Sequence, residues 1–330
     1  MKRIFAICII FFLVIGLSAC SLSDPATEIL ASSSWSSAPS RPIDPNATEP
    51  PAPAKPPEPA PSEPYLVYSP YIVKPVVREY LGNDYELYCK MIDSVINYEG
   101  RVSGFESEEQ FFNLWKIIRD ECPPMQKLCA NYNTCDEPYT YKDGVCQIAF
   151  QYERSKHNEI FREFSDRITA DLSCINKGDT EVVIIAKLHM HVSTTMLYAY
   201  DSGHLYDCIM NNRGICGNYA EYLMLLLNQA GIECHFGGGS GAGIDHAWVI
   251  AKMNGQYYHF DPTWEFASRD WSWFAIGDEL RHMSLDPSSL GTLQTYGDWD
   301  YETNEWLPSQ PCPETFCQDT RNNDDPPWLW

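Results

Sequence analysis

The chain has 330 residues, with 45 acidic against 23 basic side chains and a formal net charge of −22. A surface that acidic excludes nucleic acid as a partner, because phosphate binding needs a basic face. Aromatic residues make up 13%, which fits a packed domain rather than a fully disordered chain.

Met1-Lys2-Arg3 followed by the apolar run from Ile4 to Gly16 has the layout of an export signal, and the run is too short for a comfortable membrane span. It closes on Leu17-Ser18-Ala19-Cys20, which resembles the lipobox of bacterial lipoproteins. The expectation is a signal over residues 1–19, cleaved before Cys20, and a lipid on the Cys20 sulfur. The mature chain would then be anchored on the outer face of the bacterial cytoplasmic membrane. Residues 20–64 hold 12 of the 24 prolines and almost no apolar side chains. Such a stretch cannot bury enough surface to offset its chain entropy, so it reads as a disordered, semi-rigid spacer that lifts a domain off the membrane.

From Tyr65 onward the chain is long enough for a real core. Apolar residues at helical spacing predict helices over 85–98 and 108–120, the second ended by Pro123-Pro124. Aromatic and β-branched residues around Asp143-Gly144 predict a hairpin over 139–150. Helices follow over 158–172 and from 180 to about 198. Tyr222 to Leu227 lies in a buried helix closed by Gly231, and a strand follows near 233–236. Gly237 to Gly243 reads as a glycine-rich loop; no helix follows it, so it is not a phosphate loop. Asn254-Gly255 marks a second hairpin. Residues 286–330 read as an acidic tail carrying Trp299, Trp306, Trp328 and Trp330, for which capping the domain is favoured over touching a carbohydrate.

Export permits disulfides. Setting aside Cys8, Cys20 and Cys216 leaves Cys89, Cys122, Cys129, Cys135, Cys146, Cys174, Cys208, Cys234, Cys312 and Cys317. These allow up to five bridges, and the cluster from Cys122 to Cys146 suggests at least one stapled loop. No paired C-x-x-C elements occur, so no metal or other cofactor is expected.

Three residues carry the chemistry. Cys216 falls in the first turn of the helix ahead of Tyr222, where unpaired N–H groups and the positive dipole end favour a thiolate. In the Asn254-Gly255 hairpin Met253 faces Gln256, and counting back sets Trp248 opposite Asp261. His246 then shares the face of Trp248 and lies diagonal to Asp261, about 7–8 Å away at the backbone, within reach of two polar side chains. A carboxylate on one ring nitrogen leaves the other to take a proton from the thiol. His259 faces the same side opposite Ile250, farther from the mouth, and is the second choice of base. Singly, each residue has an ordinary structural explanation; their joint geometry favours a site.

The motifs Gly214-Ile215-Cys216-Gly217-Asn218-Tyr219-Ala220, Gly231-Ile232-Glu233-Cys234, Asp245-His246-Ala247-Trp248 and Tyr257-Tyr258-His259-Phe260-Asp261-Pro262-Thr263-Trp264 resemble the transglutaminase-like core, in that family's order. Phe274 to Glu279 resembles a stretch of its bacterial members. Leu188-His189-Met190-His191-Val192 departs from the His-Asp-Tyr-Leu-like stretch the resemblance leads one to expect. The resemblance covers residues 186–285. It implies a papain-like arrangement on an α+β fold, with an antiparallel sheet packed on the nucleophile-bearing helix and a smaller α+β segment over 65–185 before it. Cys216 is then the nucleophile, His246 the base and Asp261 the residue orienting His246; the Cys216 backbone N–H is the natural oxyanion donor. The function expected is a surface thiol enzyme acting on peptide or side-chain amides, including cell-wall peptides, through an acyl-enzyme resolved by water or an amine. The alternatives are a non-catalytic protein- or glycan-binding module on the same fold and a disulfide-rich structural lipoprotein, in which Cys216 would be bridged.

Overall fold

The computed structural model describes residues 64–130, 139–200, 203–241, 244–268, 271–285 and 294–316. The expected signal, the lipidated Cys20 and the spacer as far as residue 63 lie outside the described residues, as do Cys135, Cys317, Trp328 and Trp330. No described helix is long and apolar enough to cross a membrane.

Helix α1 (Pro75–Leu81) opens on a proline, whose missing N–H costs nothing in a first turn. Helix α2 (Tyr85–Ile96) forms where the apolar spacing predicts and buries Tyr88, Met91, Ile92 and Val95. Strand β1 (Arg101–Ser103) follows, then α3 (Glu108–Glu121), whose N-cap Ser107 accepts from the Gln110 N–H. Pro123-Pro124 ends α3 as expected but also begins a further helix, α4 (Pro123–Leu128), since prolines fit the first helical positions. Strands β2 (Tyr139–Lys142) and β3 (Val145–Ile148) make the expected hairpin, with Asp143 and Gly144 at φ 51° and 75°. With β1 they form a three-stranded sheet in the order β1-β3-β2. Helix α5 (Arg154–Leu172) starts earlier than predicted, because the Glu153 carboxylate caps the N–H groups of Ser155 and Lys156. Helix α6 (Glu181–Thr195) stops short of Tyr198. Leu197 and Tyr198 leave the helix as β4 (Leu197–Tyr198), pairing in parallel with β5 (Arg213–Gly214) after helix α7 (Leu205–Asn211).

Helix α8 (Cys216–Gln229) is the centre of the molecule. Tyr219, Ala220, Tyr222, Leu223, Leu226 and Leu227 are inaccessible, and each buried Leu contributes roughly 1.5–3 kcal/mol. Beside it lie β6 (Cys234–Gly241), β7 (Ile244–Met253), β8 (Gln256–Phe260) and, after helices α9 (Pro262–Ser268) and α10 (Asp278–Leu285), β9 (Gln294–Tyr296). These strands make an antiparallel sheet in the order β8-β7-β6-β9. Val249, Ala251 and Phe260 share one core with the α8 leucines. The fold is α+β, an antiparallel sheet on a buried helix.

Two expectations need correction. Gly237 to Gly241 are strand, not loop: they continue β6 and pair with β7 and β9. The glycines are there because rings lie on them. A Cβ on Gly237 would sit 2.5 Å from the Trp248 indole nitrogen, and one on Gly238 would sit 2.1 Å from the Tyr296 ring. Residues 294–316, expected in the tail, instead supply β9, β10 (Trp299–Asp300) and β11 (Glu305–Trp306). The Asp298 carboxylate accepts from His235 Nδ1 at 2.8 Å and from the Phe236 N–H, fastening this segment to β6.

The expected disulfides are not seen among the described residues. Cys89, Cys122, Cys129, Cys146, Cys174, Cys216, Cys234 and Cys312 are thiols, and Cys208 Sγ donates to the Gly203 carbonyl. Cys122, Cys129 and Cys146 pack in the core as small hydrophobes. Burial pushes Cys122 and Cys146 up to about 12.

Candidate active site

The hairpin between β7 and β8 closes in the predicted register. Met253 pairs with Gln256, Ile250 with His259 and Val249 with Phe260, with Asn254 and Gly255 at φ 53° and 85°. Asp261 therefore follows β8 level with Trp248, and His246 reaches it diagonally: His246 Nε2 and Asp261 Oδ2 are 2.7 Å apart. Both are buried. Cys216 is the first residue of α8, after an extended Ile215 whose N–H donates to Asn218 Oδ1 at 3.2 Å. Gly214 is required by that cap, since a Cβ there would lie 2.7 Å from Asn218 Cβ. The half-buried Cys216 side chain is hydrogen-bonded to His246. With Nε2 taken by Asp261, the nitrogen facing the sulfur is Nδ1. All three predicted residues meet.

Asp261 is held from every side. Its Oδ1 accepts the N–H groups of Thr263 and Trp264 at 3.1 and 3.0 Å, capping α9. Its Oδ2 accepts from His246 and from Arg281 Nη1, the latter at 2.8 Å. Burial alone would raise this carboxyl, but His246 and Arg281 outweigh it and hold it well below the usual carboxylate range. Burial likewise works against a charged imidazole at His246. The Asp261 charge, its hydrogen bond and that of Cys216 prevail, lifting His246 to about 9. The His246 ring lies nearly parallel on Trp264, centroids 4.5 Å apart.

Residues 164–262 match the transglutaminase-like superfamily. The match is to this segment, which holds the central helix and the β7–β8 hairpin. Cys216, His246 and Asp261 all fall inside the matched segment. No curated protein matches the chain. Solved structures that resemble it include a TGase at 10% identity, covering 38% of this chain and 43% of that one with a TM-score of 0.28. A candidate cysteine protease from Cytophaga hutchinsonii is similar at 12% identity, covering 52% and 62%, TM-score 0.29. The periplasmic domain of TgpA from Pseudomonas aeruginosa is similar at 15% identity, covering 34% and 44%, TM-score 0.24. The chain thus spans less than two thirds of the length of each.

Around this transglutaminase-like centre the structure adds residues the sequence did not single out. Tyr198 of β4 takes a hydrogen bond from the Cys216 backbone; burial and the nearby sulfur push its phenol up to about 12. Tyr296 of β9, lying over Gly238, also faces Cys216. No sequence pattern marks either, because they arrive from short strands far apart in the chain. The departing segment in α6 is structural. His191 Nε2 lies 3.0 Å from Asp171 Oδ1, and His189 is buried between Phe260 and Phe274.

His259, the second choice of base, is committed elsewhere. The Trp248 indole N–H donates to His259 Nδ1 at 2.8 Å, so the ring proton sits on Nε2, 2.9 Å from Asp278 Oδ1. With Cys312, His259 and Asp278 bring ligand-type atoms within 4.8 Å of one another, as a metal site would. The tautomer argues against that use: a ring accepting at Nδ1 carries its proton on Nε2 and has no lone pair there for an ion. The trio is a clamp. Asp278 Oδ2 accepts from the Cys312 N–H at 2.9 Å, and the Asp278 N–H donates to the Cys312 carbonyl at 2.7 Å.

Proposed function

We propose that the chain is a thiol acyl-transfer enzyme, with Cys216 as nucleophile, His246 as acid–base and Asp261 as the group that orients His246. The observation that supports it most is the 2.7 Å contact between His246 Nε2 and Asp261 Oδ2, with the ring's other nitrogen toward the Cys216 sulfur. With His246 lifted to about 9, the imidazole is protonated near neutrality. That charge and the N-terminal dipoles of α8 both stabilise negative charge on the attacking sulfur.

Sγ attacks an amide carbonyl carbon, forming the C–S bond as the carbonyl electrons move to oxygen. The imidazolium then gives its proton to the amide nitrogen, the C–N bond breaks and the amine leaves an acyl-enzyme. Water adds next, losing a proton to His246, and the thiol departs as the carboxylic acid is released. An amine in place of water would make this acyl transfer; hydrolysis is the reading adopted, since water is abundant outside the cell. The Cys216 N–H, which donates to Tyr198 in this structure, is the donor we assign to the oxyanion. Export and a lipid on Cys20 put the substrates among surface proteins or cell-wall peptides.

The test is alkylation by an iodoacetamide reagent near pH 7, followed by comparison of surface proteins cleaved or cross-linked by the wild type and by Cys216→Ala. Cys216 is expected to react faster than a model thiol, and Cys216→Ala to lose turnover entirely. A sulfur no more reactive than free cysteine would leave the non-catalytic binding module in its place.

A further inference from the structure

Arg281 lies in α10, beyond the matched residues 164–262, and no sequence motif points to it. It is fully buried. Its Nη1 donates to Asp261 Oδ2, the same oxygen that accepts from His246. The guanidinium carbon stands 4.0 Å from the ring centroid of Trp248, 4.6 Å from that of Trp264 and 5.9 Å from that of Trp273. Trp264 thus touches both the imidazole and the guanidinium. The backbone that carries Trp273 is itself held: Glu265 accepts the backbone N–H groups of Trp271 and Trp273, and the Asp261 N–H donates to the Trp273 carbonyl. Helix α10 is pinned at its first residue by the Asp278 clamp to His259 and Cys312, which puts Arg281 one turn on, against the carboxylate.

A buried cation is costly, and a well-packed apolar side chain would commonly serve stability as well or better. A guanidinium among indoles and aimed at the oxygen that His246 uses calls for another explanation. We propose that Arg281 is a positioning residue of the Cys216–His246–Asp261 site, clamping the shared carboxylate oxygen so that His246 is oriented and faces only part of the carboxylate charge. This rests on the acyl-transfer reading of that site. The groups facing His246 are Asp261 after β8, Cys216 on α8 and, across the carboxylate, Arg281 on α10; Tyr198 of β4 and Tyr296 of β9 lie near Cys216, and Asp245 of β7 lies near Tyr296. Arg281 opposes the lift that Asp261 gives His246. A neutral residue 281 would let His246 hold its proton more tightly and yield it less readily to the departing amine. Substrate binding would be untouched, since the side chain is buried.

The experiment follows the His246 ring by NMR through a pH titration of the full chain, its resonances assigned with His246→Gln. Wild-type His246 is expected to titrate near 9. Arg281→Met is expected to move that midpoint upward by about half a pH unit or more and to lower kcat with KM unchanged. Arg281→Gln, which keeps a donor for Asp261, serves if the Met variant does not fold, and the same upward shift is expected. Arg281→Lys, which keeps the charge, is expected to stay within about 0.3 pH units of wild type. A folded neutral variant whose His246 midpoint does not move overturns the role of Arg281 while leaving the enzymatic reading intact. A wild-type His246 that titrates near its ordinary value, beside an inert Cys216, removes the enzymatic reading itself.

Discussion

His246 and Asp261 stabilise one another as charges, and this makes the site sensitive to pH in both directions. The His246 midpoint is raised to about 9, so its contribution is complete below the unfolded value of about 6.5 and is lost as pH climbs through 9, a change on the order of 3 kcal/mol. Asp261 is depressed; its contribution is present above the unfolded value of about 4 and is lost as the solution is acidified below that. The two effects describe a single pair and do not add. Urea midpoints measured from pH 6 to pH 10 are expected to fall for wild type and to change much less for His246→Gln; equal slopes would contradict the pairing. The pair was legible in the sequence because a two-residue turn sets register by counting. Arg281, Tyr198 and Tyr296 were not, since nothing in their neighbours along the chain sets them apart.

At the scale of elements, the hairpin and the glycine strand make an instructive contrast. Asn254-Gly255 was readable because its positive φ values are a local demand that few residues meet. Gly237 and Gly238 answer a demand from elsewhere: the Trp248 and Tyr296 rings need bare backbone beneath them. A run of glycines therefore looks like a loop until the rings are in place. Gly237→Ala is expected to cost about 1–3 kcal/mol, because the Trp248 indole it meets is fully buried and has little room to yield. A lowered Tm with unchanged Cys216 alkylation would match this; an unaltered Tm would mean that the ring moves aside freely.

For the molecule as a whole, residues 294–316 are part of the core unit rather than an appendage. They complete the sheet edge at β9, pair Asp298 with the buried His235 and close the Asp278 clamp through Cys312. A hydrogen bond to a charged group such as the Asp298 carboxylate contributes about 1.5–3 kcal/mol, against a total stability of about 5–15 kcal/mol. A chain ending at residue 293 is expected to lose cooperative unfolding; a sharp thermal transition at the wild-type Tm would refute that. The sequence by itself determined the five longest helices, the register of the β7–β8 hairpin and the three residues that meet, because periodicity, turn chemistry and strand counting are local. Only the tertiary structure decided that the glycine run is a strand, that the tail closes the sheet, that the buried cysteines are thiols and that Arg281 shares the carboxylate with His246. Those outcomes depend on side chains distant in sequence filling one space, and no local pattern encodes which of them will meet.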